Sequence, residues 1–124
     1  MKSFLDHYSD VAYALLRIVL AFLFMSHGVQ RNYAGVWPGL FPIDIANVIE
    51  AIAGPLILVG LFTPLAAFIA SGEMAIAYFV AHAPQNLWPQ FNNGEISVAL
   101  SFGFLYIATR GGGKYSLDAM MGKK

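Results

Sequence analysis

Four stretches of this chain are long and apolar enough to cross a bilayer, and each carries one charged residue within it or at its end. Crossing the hydrocarbon core as a helix takes about 20 residues at 1.5 Å each. The stretches run over about 11–29, 45–62, 64–81 and 95–109, the last being the shortest. None shows the polar stripe at helical spacing that a soluble bundle would need. Composition leads the same way: 58% of the 124 residues are hydrophobic and 11% charged, where a soluble domain carries about 25% charged residues. Seven acidic and seven basic side chains cancel, which leaves no electrostatic footprint for nucleic acid. With no cysteine, disulfides, Cys zinc sites and thiol nucleophiles are excluded. The expected fold is all-α, a single integral membrane four-helix bundle over 1–124 with a short surface tail at 110–124.

The connections support four helices. Thr63-Pro64 is a tight joint in which Thr can cap and Pro suits the first turn. Gly35 to Pro42 is rich in turn formers and aromatics, and His82 to Gly94 carries Pro84, Trp88 and Pro89. Asn92 and Glu95 have capping-box spacing at the start of the fourth helix. Lys2 precedes the first helix; Arg110, Lys114, Lys123 and Lys124 follow the fourth; the two long links hold Arg31 alone. The positive-inside rule then puts both termini in the cytoplasm. Tyr8, Tyr13, Tyr106 and Tyr115 fall near the inner boundary and the two tryptophans near the outer one. Asp6 and Asp10 before the first apolar stretch, with no A-x-A site after it, argue against a cleaved signal.

A charge within the hydrocarbon is costly and needs a partner or a task. From helical rise, Arg17 lies about 9 Å and Glu73 about 14 Å from the cytoplasmic end, with Glu50 about 8 Å below the outer end. Two groupings are expected: an Arg17–Glu73 ion pair in the inner half, and an outer cluster of His27, Glu50, His82 and Glu95 able to hold a ligand or relay protons. Plainer readings stand beside these. Arg17 can snorkel to the headgroups, Glu50 can hydrogen-bond a neighbouring helix, and Glu95 can simply complement the helix start. The histidines have no recognised metal-ligand spacing, so no metal is expected. Ala67/Ser71, Ser97/Ser101 and Ala99/Gly103 are small-residue pairs that let helices approach. Gly54-Pro55 can kink the second helix near Glu50. The run from Arg110 to Ser116 lacks phosphate-loop order; it reads as a helix stop, then Ser116 capping a short surface helix with Asp118 in its first turn.

Leu16-Arg17 with Phe24-Met25-Ser26-His27-Gly28, then Glu50, Gly54 and Val59-Gly60-Leu61-Phe62-Thr63, then Asn93-Gly94-Glu95 and Gly111-Gly112-Gly113-Lys114-Tyr115-Ser116-Leu117-Asp118 together resemble the DoxX family of small four-helix bacterial membrane proteins. Pro55 stands where that family usually has an ordinary apolar residue. The resemblance covers about 15–119 and implies a multi-pass protein of the bacterial cytoplasmic (inner) membrane, related to subunits of membrane-bound oxidoreductases. It does not imply a settled activity. The resulting expectation is a membrane subunit that binds a small molecule or quinone and supports a redox partner, with no intrinsic cofactor. Glu50, His27, His82, Glu73 and Glu95 are its candidate ligand or proton-relay residues, and Arg17–Glu73 its structural pair. Two other classes remain open: proton-coupled solute transport by a homo-oligomer, and a structural anchor for partner proteins in the bilayer.

Overall fold

The computed structural model describes residues 4–34, 43–79, 88 and 94–122. Among these residues the chain is all-helical, without strands. A 3-10 turn at Phe4–Tyr8 leads into α1 (Ser9–Ala34), followed by α2 (Ile43–Val59), α3 (Thr63–Ala77), α4 (Glu95–Arg110) and the short α5 (Leu117–Met120). Helix α1 runs further at both ends than the apolar pattern alone marks. Helix α2 continues through Pro55, whose ring is exposed. Phe4–Ser26 is long and apolar enough to cross a membrane, and Val48–Val59 and Thr63–Ala77 are shorter apolar helices.

Consecutive long helices pack side by side, α1 on α2, α2 on α3 and α3 on α4, and α4 returns to touch α1. One stripe of each helix turns inward: Tyr13, Arg17, Ala21 and Phe24 on α1; Glu50, Ala53 and Ile57 on α2; Ala66, Ala70, Glu73 and Ala77 on α3; Ser97, Leu100, Phe104 and Ile107 on α4. These positions recur every three or four residues, the repeat of one helix face. The Phe24 and Phe104 rings meet edge to face, 5.1 Å between centroids, across α1 and α4. Between α3 and α4, Ser71 Oγ donates to Ser101 O at 2.7 Å and Ser101 Oγ donates to Ser71 O at 3.1 Å. Ser71 and Ser101, each one member of a small-residue pair read from the sequence, meet here.

The outward stripes are apolar. Phe22, Ile52, Leu65, Phe68 and Phe102 are all exposed, and in water each would forgo about 1.5–3 kcal/mol of burial. Arg17, Glu50 and Glu73, by contrast, are 2%, 3% and 3% exposed. An exterior of hydrocarbon combined with three buried charged side chains is not the pattern of a soluble protein.

One end of the molecule is tied by side chains that reach across helices. Arg17 Nη1 donates to Gly112 O at 2.6 Å and Nη2 to Leu58 O at 3.2 Å. Tyr13 Oη donates to Gly111 O at 2.5 Å. The Asp118 carboxylate accepts from Phe62 N and Thr63 N, both at 2.9 Å, while Asp118 N donates to Gly60 O at 2.8 Å. Gly60 has φ +77°, and a Cβ there would overlap Ser116 Cβ and lie 3.2 Å from Arg17 Cζ. Only glycine permits that turn and that approach together.

Several expectations change at this end. The start of α3 is covered by the carboxylate of Asp118 and not by Thr63, whose buried Oγ1 has no hydrogen-bond partner among the described residues. Ser116 does cap α5, accepting from Ala119 N at 3.2 Å, but Asp118 in that first turn is buried at 1% exposure and so is no surface residue. Tyr13 is buried rather than part of an aromatic boundary. At the opposite end of α4, Gly94 precedes the helix without a side-chain cap, and Asn92, expected to supply one, lies outside the described residues.

Asp118→Ala strands two helix-start N–H groups in an apolar setting. It is expected to lower stability by about 2–4 kcal/mol, read as a depressed unfolding midpoint of the full chain in mild detergent. Gly60→Ala is expected to lower that midpoint as well, whereas Gly72→Ala, where an added Cβ meets nothing within 4 Å, leaves it unchanged or slightly raised.

Candidate functional site

Depth along the helices can be counted from the α2–α3 turn. Glu50 lies ten residues before Gly60, and Glu73 lies ten residues after Thr63. At 1.5 Å per residue both carboxylates stand about 15 Å from the same turn, on adjacent helices running in opposite directions, and both are buried. The Ser71–Ser101 hydrogen bonds set the level of α4 against α3. Glu73 is two residues beyond Ser71 and Ser97 four before Ser101, so the two differ in height by only about 3 Å. Ser97 is 1% exposed, and its Oγ has no hydrogen-bond partner among the described residues. Glu50, Glu73 and Ser97 therefore form one polar layer, contributed by three helices, inside an apolar shell.

This placement regroups the charges. Arg17 sits at the level of Gly60 and Gly112, where its guanidinium bonds the Gly112 and Leu58 carbonyls. Thr63 is at that same level, with its Oγ1 2.9 Å from where a Cβ on Gly112 would be. Glu73 is about 15 Å further along α3, out of reach of an ion pair. The expected Arg17–Glu73 pair is replaced by carbonyl capping, and Glu73 joins Glu50. Of the expected outer cluster, two members fall among the described side chains. Glu50 faces the interior, and Glu95 is exposed as the first residue of α4. His27 lies in α1 with its side chain outside the described residues, and His82 lies outside them altogether.

Chemically the layer offers oxygen ligands: four carboxylate oxygens and one hydroxyl. Carboxylate oxygens are strong hydrogen-bond acceptors. Arg17 and Asp118 have a structural task. Their hydrogen bonds go to backbone groups that helix ends leave unsatisfied, so they hold the fold together. Sequence reasoning missed the role of Asp118 and the paired serines. Asp118 had a signal, an acid in the first turn after a Gly-rich stop, but nothing local says that its carboxylate reaches another helix.

An uncharacterized protein of Haemophilus influenzae is 36% identical to this chain over 137 aligned positions, covering 97% of this chain and 98% of the relative. The chain belongs to the same family as that protein. Inner membrane protein YqjF of Escherichia coli is 29% identical, with 93% of this chain and 95% of the relative covered. An uncharacterized membrane protein of Mycobacterium tuberculosis, Rv3486, is 22% identical, with 88% and 80% covered. The chain is thus similar over nearly its whole length to bacterial membrane proteins, which agrees with its apolar exterior. No family model matches it, and no solved structure matches it.

Two serines of α4 separate packing from ligand chemistry. Ser101→Ala removes an interhelical hydrogen bond and is expected to cost about 1 kcal/mol. Ser97→Ala removes a buried hydroxyl that bonds no described residue and is expected to be neutral or slightly stabilising in the purified, ligand-free chain. Comparison of the two unfolding midpoints in detergent checks this.

Proposed function

We propose that this chain is a multi-pass protein of the bacterial inner membrane, a four-helix bundle of DoxX type with both termini in the cytoplasm. In this reading its polar interior binds a small molecule, with quinone the leading class, in support of a redox partner. The observation that carries the reading is the layer of Glu50 and Glu73 at one depth on neighbouring helices. Two carboxylates at that depth are costly unless they have a task or a partner. Both suit a ligand that presents hydroxyl donors or exchanges protons. The Lys and Arg residues at the end bearing the termini support the orientation. Glu50 and Glu73 are the leading ligand residues; His27 and His82 are further candidates, and Glu95, being exposed, fits a helix-start role better. The same carboxylates favour a second reading, proton-coupled solute transport by a homo-oligomer.

The test is solvent extraction and quantification of quinone from the full chain purified in mild detergent. The wild type is expected to retain quinone near one equivalent. Glu50→Gln and Glu73→Gln should each reduce retention about tenfold, the equivalent of about 1.4 kcal/mol, while helical content is preserved. Absence of retained quinone in the wild type, or retention by both variants equal to that of the wild type, overturns the quinone reading. Glu73-dependent proton flux in proteoliposomes would favour transport.

A further inference from the structure

The polar layer is rich in acceptors and poor in donors. Ser71 of α3 faces α4, to which it is hydrogen-bonded. Glu73, two residues on, is turned about 200° round α3. That carries it away from α4 and toward α3's other neighbour, α2, which holds Glu50 at about the same depth. The pair brings four oxygens, and a carboxylate accepts hydrogen bonds but donates none. One hydroxyl near that level can donate. Ser97 is one turn before Ser101 and so lies on the face of α4 that meets α3. Its Oγ is buried and has no hydrogen-bond partner among the described residues. Ser26, Ser71, Ser101 and Ser116, the other described serines that are buried or half-buried, each donate to a backbone carbonyl. Serines within helices commonly do so. Ser97 alone among them leaves its proton undirected.

A quinone and its two-electron reduced form differ at the groups such a layer reads. Quinone oxygens are carbonyls, which only accept; quinol oxygens are hydroxyls, which donate as well. Carbonyls set against carboxylates leave acceptor facing acceptor in an apolar interior. A buried polar group left without a partner costs about 1–3 kcal/mol. Sites built to bond a hydroxyl accordingly discriminate strongly against the analogue that lacks it. The walls toward the α2–α3 turn suit the ring in either form: Ala53 on α2, Met74 beside Glu73 and Leu100 after Ser97 are all buried. Redox form is therefore decided by the oxygens of the layer, with the apolar walls indifferent to it.

We propose that the layer selects the reduced, hydroxyl-bearing form of a quinone, with Glu50 and Glu73 accepting from its hydroxyls and Ser97 donating to one of its oxygens. This rests on the quinone reading above and adds the redox form. Tighter binding of the quinol raises the reduction potential of the bound couple, by about 30 mV for each tenfold. The test is anaerobic calorimetric titration of the full chain, in mild detergent and freed of retained quinone, with decylubiquinol and with decylubiquinone. The quinol is expected to bind about tenfold more tightly. Ser97→Ala, its unfolding midpoint not lowered, should weaken the quinone about tenfold and the quinol by about threefold or less, since the carboxylates still hold the quinol. Glu50→Gln and Glu73→Gln, whose amides donate as well as accept, should bring the two affinities within about threefold of each other. Equal affinities in the wild type, tighter binding of the quinone, an unchanged preference in both glutamine variants, or no selective loss of the quinone in Ser97→Ala overturns the proposal and leaves the quinone reading standing. Binding of neither form overturns both.

Discussion

Helix ends leave backbone groups unsatisfied, and where water is excluded each one costs several kcal/mol if nothing meets it. The end of this molecule that carries both termini solves that problem with three side chains. Arg17 of α1 takes the carbonyl of Leu58 near the end of α2 and that of Gly112 beyond α4. Tyr13, one turn earlier, takes Gly111 O. Asp118, from the segment after α4, takes the first two N–H groups at the start of α3. Every one of the four long helices is therefore tied at this end to a side chain or carbonyl of another segment. The glycines at 60 and 112 are required because the donors and acceptors approach the backbone itself. A Cβ on Gly112 would come within 2.9 Å of Thr63 Oγ1 and 2.7 Å of Ser116 Oγ. Charge is used here for its hydrogen-bonding capacity, and an Arg in this role is not a spare ion awaiting a carboxylate.

The buried charged residues lie at two levels. Arg17 and Asp118 are bound to backbone, so their burial is compensated by charge-assisted hydrogen bonds. Glu50 and Glu73 lie about 15 Å away along the helices. They occupy inward stripes otherwise made of Ala, Ile, Phe and Leu. A carboxylate contributes nothing to apolar packing that alanine would not supply at lower cost. Two such positions at about one depth, with Ser97 near that level, give the interior a polar layer.

How much of this was legible in the sequence depended on the range of the interaction. Hydrophobic runs, the turn at 60–63 and the helix stop at Gly111 are local and were readable, because periodicity and glycine chemistry act over a few residues. So was the suspicion that Arg17, Glu50 and Glu73 are special, since a charge in an apolar run is conspicuous by itself. Partner choice was not readable. Pairing Arg17 with Glu73 followed from opposite charge and rough depth, but counting from approximate helix ends placed Glu73 too close to Arg17. Counting from the turn that both α2 and α3 share places it beside Glu50. Asp118 was assigned a place in a surface helix because sequence spacing identifies a first-turn acid and says nothing about a helix end 55 residues away. Ser71 and Ser101 were read as small residues that permit close approach, which they do. Their hydrogen bonds depend on the relative height of α3 and α4, a tertiary quantity.

The two features are mechanically connected. The heights of Glu50 and Glu73 match because Glu50 lies ten residues before Gly60 and Glu73 ten after Thr63, on either side of one short turn that is clamped by Arg17, Ser116 and Asp118. A one-residue slip at Gly60–Phe62 would rotate α3 by about 100° and carry Glu73 off the inward stripe. The left-handed conformations at Gly60 and Phe62 are the points where such a slip would start, and both are fixed by hydrogen bonds from the segment after α4. The C-terminal segment thus sets the register of a polar layer that it does not touch. Its sequence is constrained by the interior of the molecule as much as by its own surroundings.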